Sequence, residues 1–359
     1  MNVSTAACIS GTFKNMTFLL DNYLRLSFFL RLKKIRKYDF IFSFFGILHA
    51  NKKKKKGELT LMEKLYIAFP SANKNAVLNI VVFMPHDKEN LRGMIQICHG
   101  MTEHIDRYDD FAEYFTERGY AVFGNDIISH GRSNVNKSCS LYLDDWFDTV
   151  RDAINVRNHI TKIYPDLPVY IVGFSLGSFI VRSMPDLSAY DKEILVGTGY
   201  QPAAMLHAMR DLIAVKFNKQ MSKSSDEIRK MAFDSYNKHF KNCPNNYWLL
   251  SDDAARNEYE TDRLVNTRMT PQFFYEFLRG MEYTSKNLKN PNNTIPTLFM
   301  YGKNDPVGDF GKGVTKVFKA YHKNNSSTEI KCVEGTHDIL HNNGSSKAVF
   351  KEIERYLDA

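Results

Sequence analysis

From residue 62 onward, short apolar runs rich in β-branched and aromatic residues alternate with longer stretches of helical period. The short runs are Leu65–Phe69, Val77–Met84, Met94–Cys98, Tyr120–Asn125, Val169–Gly173, Ile194–Thr198, Pro296–Tyr301 and Thr328–Val333. They have the length and composition of strands. Phe111–Arg118, Trp146–Ile163, Leu176–Leu187, Gly311–Tyr321 and Ser346–Leu357 read as helices. This alternation predicts an α/β architecture, a mostly parallel eight-stranded sheet covered by helices. The first two strands have no helix between them and are expected to pair as an antiparallel hairpin. Residues 199–291 interrupt the rhythm with a largely helical insertion. Apolar residues crowd its start, Met205 to Phe217, and recur at helical spacing at Phe273, Phe274, Phe277, Leu278 and Met281. A buried core and a lid over an apolar groove require the same pattern, and both readings stay open.

In such sheets, ligands bind beyond the carboxyl ends of the strands, and the reactive residue types fall there. Gly173-Phe174-Ser175-Leu176-Gly177 follows the strand Val169–Val172 and leads into a helix. A G-x-S-x-G run between strand and helix exposes a serine on a sharp turn, where a base can activate it. The acid and the histidine of a triad are then sought later in the chain, in that order. Asp305 follows the strand ending at Tyr301, and His337 follows the strand ending at Val333. Asp305 would orient the imidazole while His337 takes and returns the Ser175 proton. Asp309 and Asp338 are rival acids. Asp309 is expected inside the next helix start, and Asp338 is too near His337 in sequence to reach its far nitrogen. Two backbone N–H groups are needed for the oxyanion. Leu176 supplies one, and Met101, in the loop after the strand Met94–Cys98, supplies the other.

These residues carry a resemblance. The chain resembles the monoacylglycerol lipase and lysophospholipase branch of the α/β-hydrolases, also called serine-aminopeptidase-like. His99-Gly100-Met101-Thr102-Glu103-His104, with Arg107-Tyr108, is similar to that family's oxyanion loop. Asn125-Asp126 through His130-Gly131-Arg132-Ser133 resembles its D-x-x-G-H-G-x-S loop. Gly173 to Ser178 matches the elbow, and Gly302 to Val314 is similar to the acid loop of bacterial members. The likeness runs from about Met62 to Ala359. It implies that His99, Gly100, Asp126, His130, Ser133, Gly173 and Gly177 brace the site, and that residues 199–291 form a lid. The chain departs from the family at Phe174 (often His), Ile127 (often His) and Ser129 (usually Gly).

Charge divides the chain. Residues 1–56 hold 12 Lys+Arg against 2 Asp+Glu, and the remainder holds 36 against 38. The formal charge of +8 is therefore no nucleic-acid footprint on the folded part. The five cysteines (Cys8, Cys98, Cys139, Cys243, Cys332) lack metal-ligand or disulfide spacing. They fit a reducing cytoplasm, and Cys98 and Cys332 are expected to be buried thiols in core strands. Residues 1–61 are read as an N-terminal extension to a hydrolase domain at 62–359. Tyr38–Ala50 is apolar but shorter than a membrane-spanning helix, so weak membrane-surface contact through flanking lysines is one reading. A natural start at Met62 is the other.

A serine hydrolase of lipid carboxylic esters is expected, acting on a monoacylglycerol or lysophospholipid through an acyl-enzyme on Ser175. No metal or cofactor is called for. The alternatives are a short-chain carboxylesterase, a proline-iminopeptidase-like peptidase, and a non-catalytic acyl-ligand binder.

Overall fold

The computed structural model describes residues 62–133, 140–343 and 345–359. The expectations for residues 1–61 and for Cys139 lie outside these. Among the described residues, eight strands form one sheet in the order β1-β2-β4-β3-β5-β6-β7-β8. They are β1 (Met62–Pro70), β2 (Val77–Pro85), β3 (Gly93–Cys98), β4 (Tyr120–Asn125), β5 (Val169–Phe174), β6 (Lys192–Val196), β7 (Thr297–Gly302) and β8 (Thr328–Val333). β1 and β2 pair antiparallel, as expected, and β2 also runs antiparallel to β4. The other pairings are parallel.

Side chains that alternate along each strand feed two cores. Val169 and Ile171 of β5 enter one, Tyr170 and Val172 the other. The first core is closed by α2 (Trp146–Ile160), α3 (Leu176–Arg182) and α8 (Lys312–Asn324). The second is closed by α1 (Asp109–Thr116) and α9 (Ser346–Asp358). Helix α3 stops five residues short of the expected end because Pro185 disfavours helical backbone at Met184. β6 begins and ends two residues early, as Gly197 turns the chain at φ +60°. The expectation for Cys332 was wrong. It is exposed, because β8 is an edge strand whose outward positions face solvent, whereas Cys98 in central β3 is buried.

The insertion holds α4 (Ala203–Phe217), α5 (Asp226–Asn237), α6 (Asp253–Thr261) and α7 (Pro271–Lys286). Its two apolar stretches part company. Thr270 caps α7 by accepting from Phe273 N–H, and Pro271 opens its first turn. Phe273, Phe274 and Leu278 are then buried in the sheet's own core. Gly280 lets α7 lie against Trp146, since a Cβ there would fall 2.1 Å from the indole. Helix α4 instead sits on α7 by Leu206 and Ile213 and leaves Met205, Leu212 and Val215 exposed. Among the described residues, no helix is long and apolar enough to cross a membrane.

Candidate active site

Ser175 follows the last residue of β5, and its φ of +50° and ψ of −114° are strained for a residue with a Cβ. Both elbow glycines are required by space. A Cβ on Gly173 would lie 2.8 Å from Gly177 O, and one on Gly177 would lie 1.9 Å from Cys98 O. The strain is held by Ser175 N–H donating to Val196 O (2.9 Å) and Ser178 Oγ donating to Ser175 O (2.6 Å).

The loops after β7 and β8 bring Asp305 and His337 to this serine. Asp305 Oδ1 accepts from His337 Nδ1 at 2.9 Å, and His337 Nε2 lies 2.8 Å from Ser175 Oγ. With its proton at Nδ1, the imidazole presents a free lone pair at Nε2 to the hydroxyl. Asp305 is fully buried and His337 nearly so. Val307 N–H also donates to Asp305 Oδ1 (2.8 Å), which fixes the carboxylate plane. Neither rival acid hydrogen-bonds His337 among the described residues. Asp338 takes His341 Nδ1 at 2.9 Å. Burial alone would raise the Asp338 carboxyl, but His341 and Arg107 outweigh it and hold the pKa below the usual value. Asp309 lies in a left-handed turn (φ +50°) ahead of α8, not within the helix start as expected.

The loop after β3 that carries Met101 is held peptide by peptide. His99 Nδ1–H donates to Gly100 O (2.8 Å), while His99 Nε2 accepts from Ile127 N–H (2.9 Å). The Gly100 carbonyl and the Met101 N–H belong to one peptide plane, so this bond prevents the plane from flipping. Burial, with His130 nearby, holds His99 well below the ordinary imidazole pKa and keeps it neutral for both roles. Glu103 Oε1 accepts Gly100 N–H at 2.6 Å. The N–H groups of Met101 and Leu176 meet no acceptor among the described residues.

The Asp126 loop braces this arrangement. Asp126 accepts from Ile105 N–H (2.9 Å), Arg132 N–H (2.8 Å) and Asn79 Nδ2 (3.0 Å). Burial still raises its pKa against these donors. Ser133 Oγ accepts Asn79 N–H at 2.7 Å. His130 donates from Nδ1 to Ile128 O (3.0 Å) and packs edge-on to His99 at 5.4 Å. The departures from the family pattern have local causes. Ser129 adopts φ +64°, where glycine is favoured, and its hydroxyl bonds both Tyr142 O and Tyr142 N–H. Phe174 fills the space beside the His337 ring, 5.2 Å between centroids.

A cavity of about 520 Å³ opens over Ser175, walled by apolar side chains such as Phe179, Leu206, Met209, Phe277 and Met281. Sequence reasoning missed three contributors to this region, Thr102, Tyr259 and Trp248. They join through contacts between segments far apart in the chain, and no local spacing signals them.

The sheet order and the serine-bearing elbow define an α/β hydrolase. A sequence model of the family described as serine aminopeptidase, S33, matches residues 89–344. The chain therefore belongs to that family of hydrolases. A monoglyceride lipase homolog of Monkeypox virus is 29% identical over 273 residues, covering 74% of this chain and 89% of the viral protein. The monoglyceride lipase of Rattus norvegicus is 33% identical over 89 residues, 25% of this chain and 28% of the rat protein. A thermostable carboxyl esterase from Bacillus coagulans superposes with a TM-score of 0.75 at 22% identity, over 82% of this chain and 98% of that one. A soluble variant of the Saccharomyces cerevisiae monoglyceride lipase gives 0.63 at 16% identity, over 86% and 98%. These two likenesses carry the fold.

Proposed function

We propose that the protein hydrolyses carboxylic esters of lipids, with monoacylglycerols as the first substrate class and lysophospholipids as the second. One observation carries this reading: the hydrogen-bonded Ser175, His337 and Asp305 lie beneath a cavity of about 520 Å³ with apolar side chains of the insertion in its walls. In this scheme His337 Nε2 takes the Ser175 proton as Oγ attacks the ester carbonyl. Asp305 steadies the imidazolium that forms. The Met101 and Leu176 N–H groups receive the oxyanion. His337 then protonates the departing alkoxide, and the acyl group remains on Ser175. Water, deprotonated by the same nitrogen, releases the fatty acid. The apolar roof formed by α4 and α5 acts as the lid, excluding bulk water and strengthening each polar contact beneath it. The names of the viral and mammalian relatives favour monoacylglycerol over the amide substrates suggested by the family's description.

The test is a panel of a monoacylglycerol, a lysophosphatidylcholine, a short p-nitrophenyl ester and a prolyl anilide, with Ser175→Ala as control. Loss of the serine is expected to lower kcat by about a million-fold. Wild-type turnover of the anilide alone would move the protein to the peptidases. Absence of both turnover and fluorophosphonate labelling at Ser175 would leave a binding protein.

A further inference from the structure

The insertion reaches beneath its own roof to both loops of the site. After α5 the chain runs beside the His337 loop, where His337 N–H donates to Trp248 O (3.0 Å) and Asp338 N–H to Leu249 O (2.9 Å). The Trp248 ring lies 5.7 Å from the imidazole. One helix later the same segment meets the oxyanion loop. The Tyr259 hydroxyl, on α6, is 2.6 Å from Thr102 Oγ1, and Asn266 N–H donates to Thr102 O (2.9 Å). Thr102 has φ +69°. A β-branched residue holds that conformation where its surroundings over-determine it. Thr102 Oγ1 also lies 2.5 Å from Met101 O, to which its single proton is donated. Tyr259 O–H therefore donates to Thr102 Oγ1, and the chain of bonds runs from α6 to the Met101 carbonyl.

We propose that Tyr259 is a positioning residue for the oxyanion hole. Its hydroxyl holds Thr102 in the left-handed conformation and, through Thr102 Oγ1, pins the Met101 carbonyl, so that Met101 is fixed on the side away from the Gly100–Met101 peptide whose N–H faces the ester carbonyl. The assignment rests on the ester-hydrolase reading above. It makes the insertion part of the transition-state geometry as well as a roof, so that the hole is complete when α6 is seated.

The experiment uses the full chain with Tyr259→Phe, Thr102→Val, Thr102→Ser and the Phe/Val double variant. Phenylalanine keeps the ring beside Arg107, 4.9 Å from its guanidinium carbon, and within the small buried cluster of Leu250 and Ala255. Tyr259→Phe is expected to lower kcat on a monoacylglycerol by about ten- to a hundredfold, less than or equal to the loss of a whole donor. KM and the thermal midpoint should stay close to wild type. Affinity for an alkyl boronic acid, whose oxyanion uses the same hole, should fall in step with kcat/KM. Thr102→Ser, which keeps the hydroxyl, should retain activity, and the double variant should lose no more than the worse single one. An active wild type with unchanged kcat or boronate affinity in Tyr259→Phe overturns the assignment, as does full additivity in the double variant. If Thr102→Val does not fold, Tyr259→Phe and Thr102→Ser still decide. A wild type without Ser175-dependent hydrolysis removes the ester-hydrolase reading itself, and the assignment with it.

Discussion

Glu193 is the second residue of β6, near the end of the strand away from Ser175, and it is fully buried. Thr297 Oγ1 donates to its Oε2 (2.9 Å), while Oε1 has no partner among the described residues. Burial raises its pKa from 4.5 to about 7, against smaller downward pulls from Thr297 and Arg182. A carboxyl whose folded pKa is raised favours the fold when protonated. That contribution is complete below the unfolded pKa and is lost as pH rises through about 7. The interval between the two values amounts to about 3 kcal/mol. Glu193→Gln keeps an acceptor for Thr297 and removes the ionisation. The stability of the variant minus that of wild type, from reversible urea unfolding, should grow by roughly 2 to 3 kcal/mol between pH 5 and pH 8. Near pH 8 the variant should melt about 6 °C higher, taking about 2 °C per kcal/mol for a domain of this size. The difference curve cancels other titrating groups, including Asp152, which burial raises to about 6. Turnover per folded molecule should not change. A difference independent of pH would refute the reasoning, since it would mean that Glu193 ionises in the fold as it does in water.

Asp305→Asn keeps the shape of the triad but loses the charge that fixes the His337 tautomer, so kcat should fall about ten-thousand-fold with little change in thermal midpoint. A loss below tenfold in steady-state turnover would show that another carboxylate serves. Gly177→Ala places a Cβ 1.9 Å from a backbone carbonyl that cannot move aside, so a loss of about 3 kcal/mol or more in stability is expected, read by denaturant unfolding. Wild-type stability in that variant would contradict the packing of the elbow.

The strands, and the meeting of Ser175, Asp305 and His337, were legible because each depends on local pattern. β5 reads as a strand from its own β-branched residues, and the elbow from two glycines each pressed against backbone. What depends on neighbours was not legible. Cys332 looks as apolar in sequence as Cys98, and the sheet order alone makes one an edge residue. The two apolar stretches of the insertion share a period, yet α7 enters the core and α4 does not. Thr102 gives no sign of its left-handed backbone, because Tyr259, 157 residues away, holds it there.

Gly280, pressed against Trp146, separates what this architecture can vary from what it cannot. A parallel strand pair such as β6 and β7 needs a helix to carry the chain back along the sheet, and α7 is that helix. It would be required in a chain with no roof at all. Everything from α4 to α6 is a detour taken before that return. Such a detour could be altered without rewriting the sheet, provided that what stands in its place again holds Thr102.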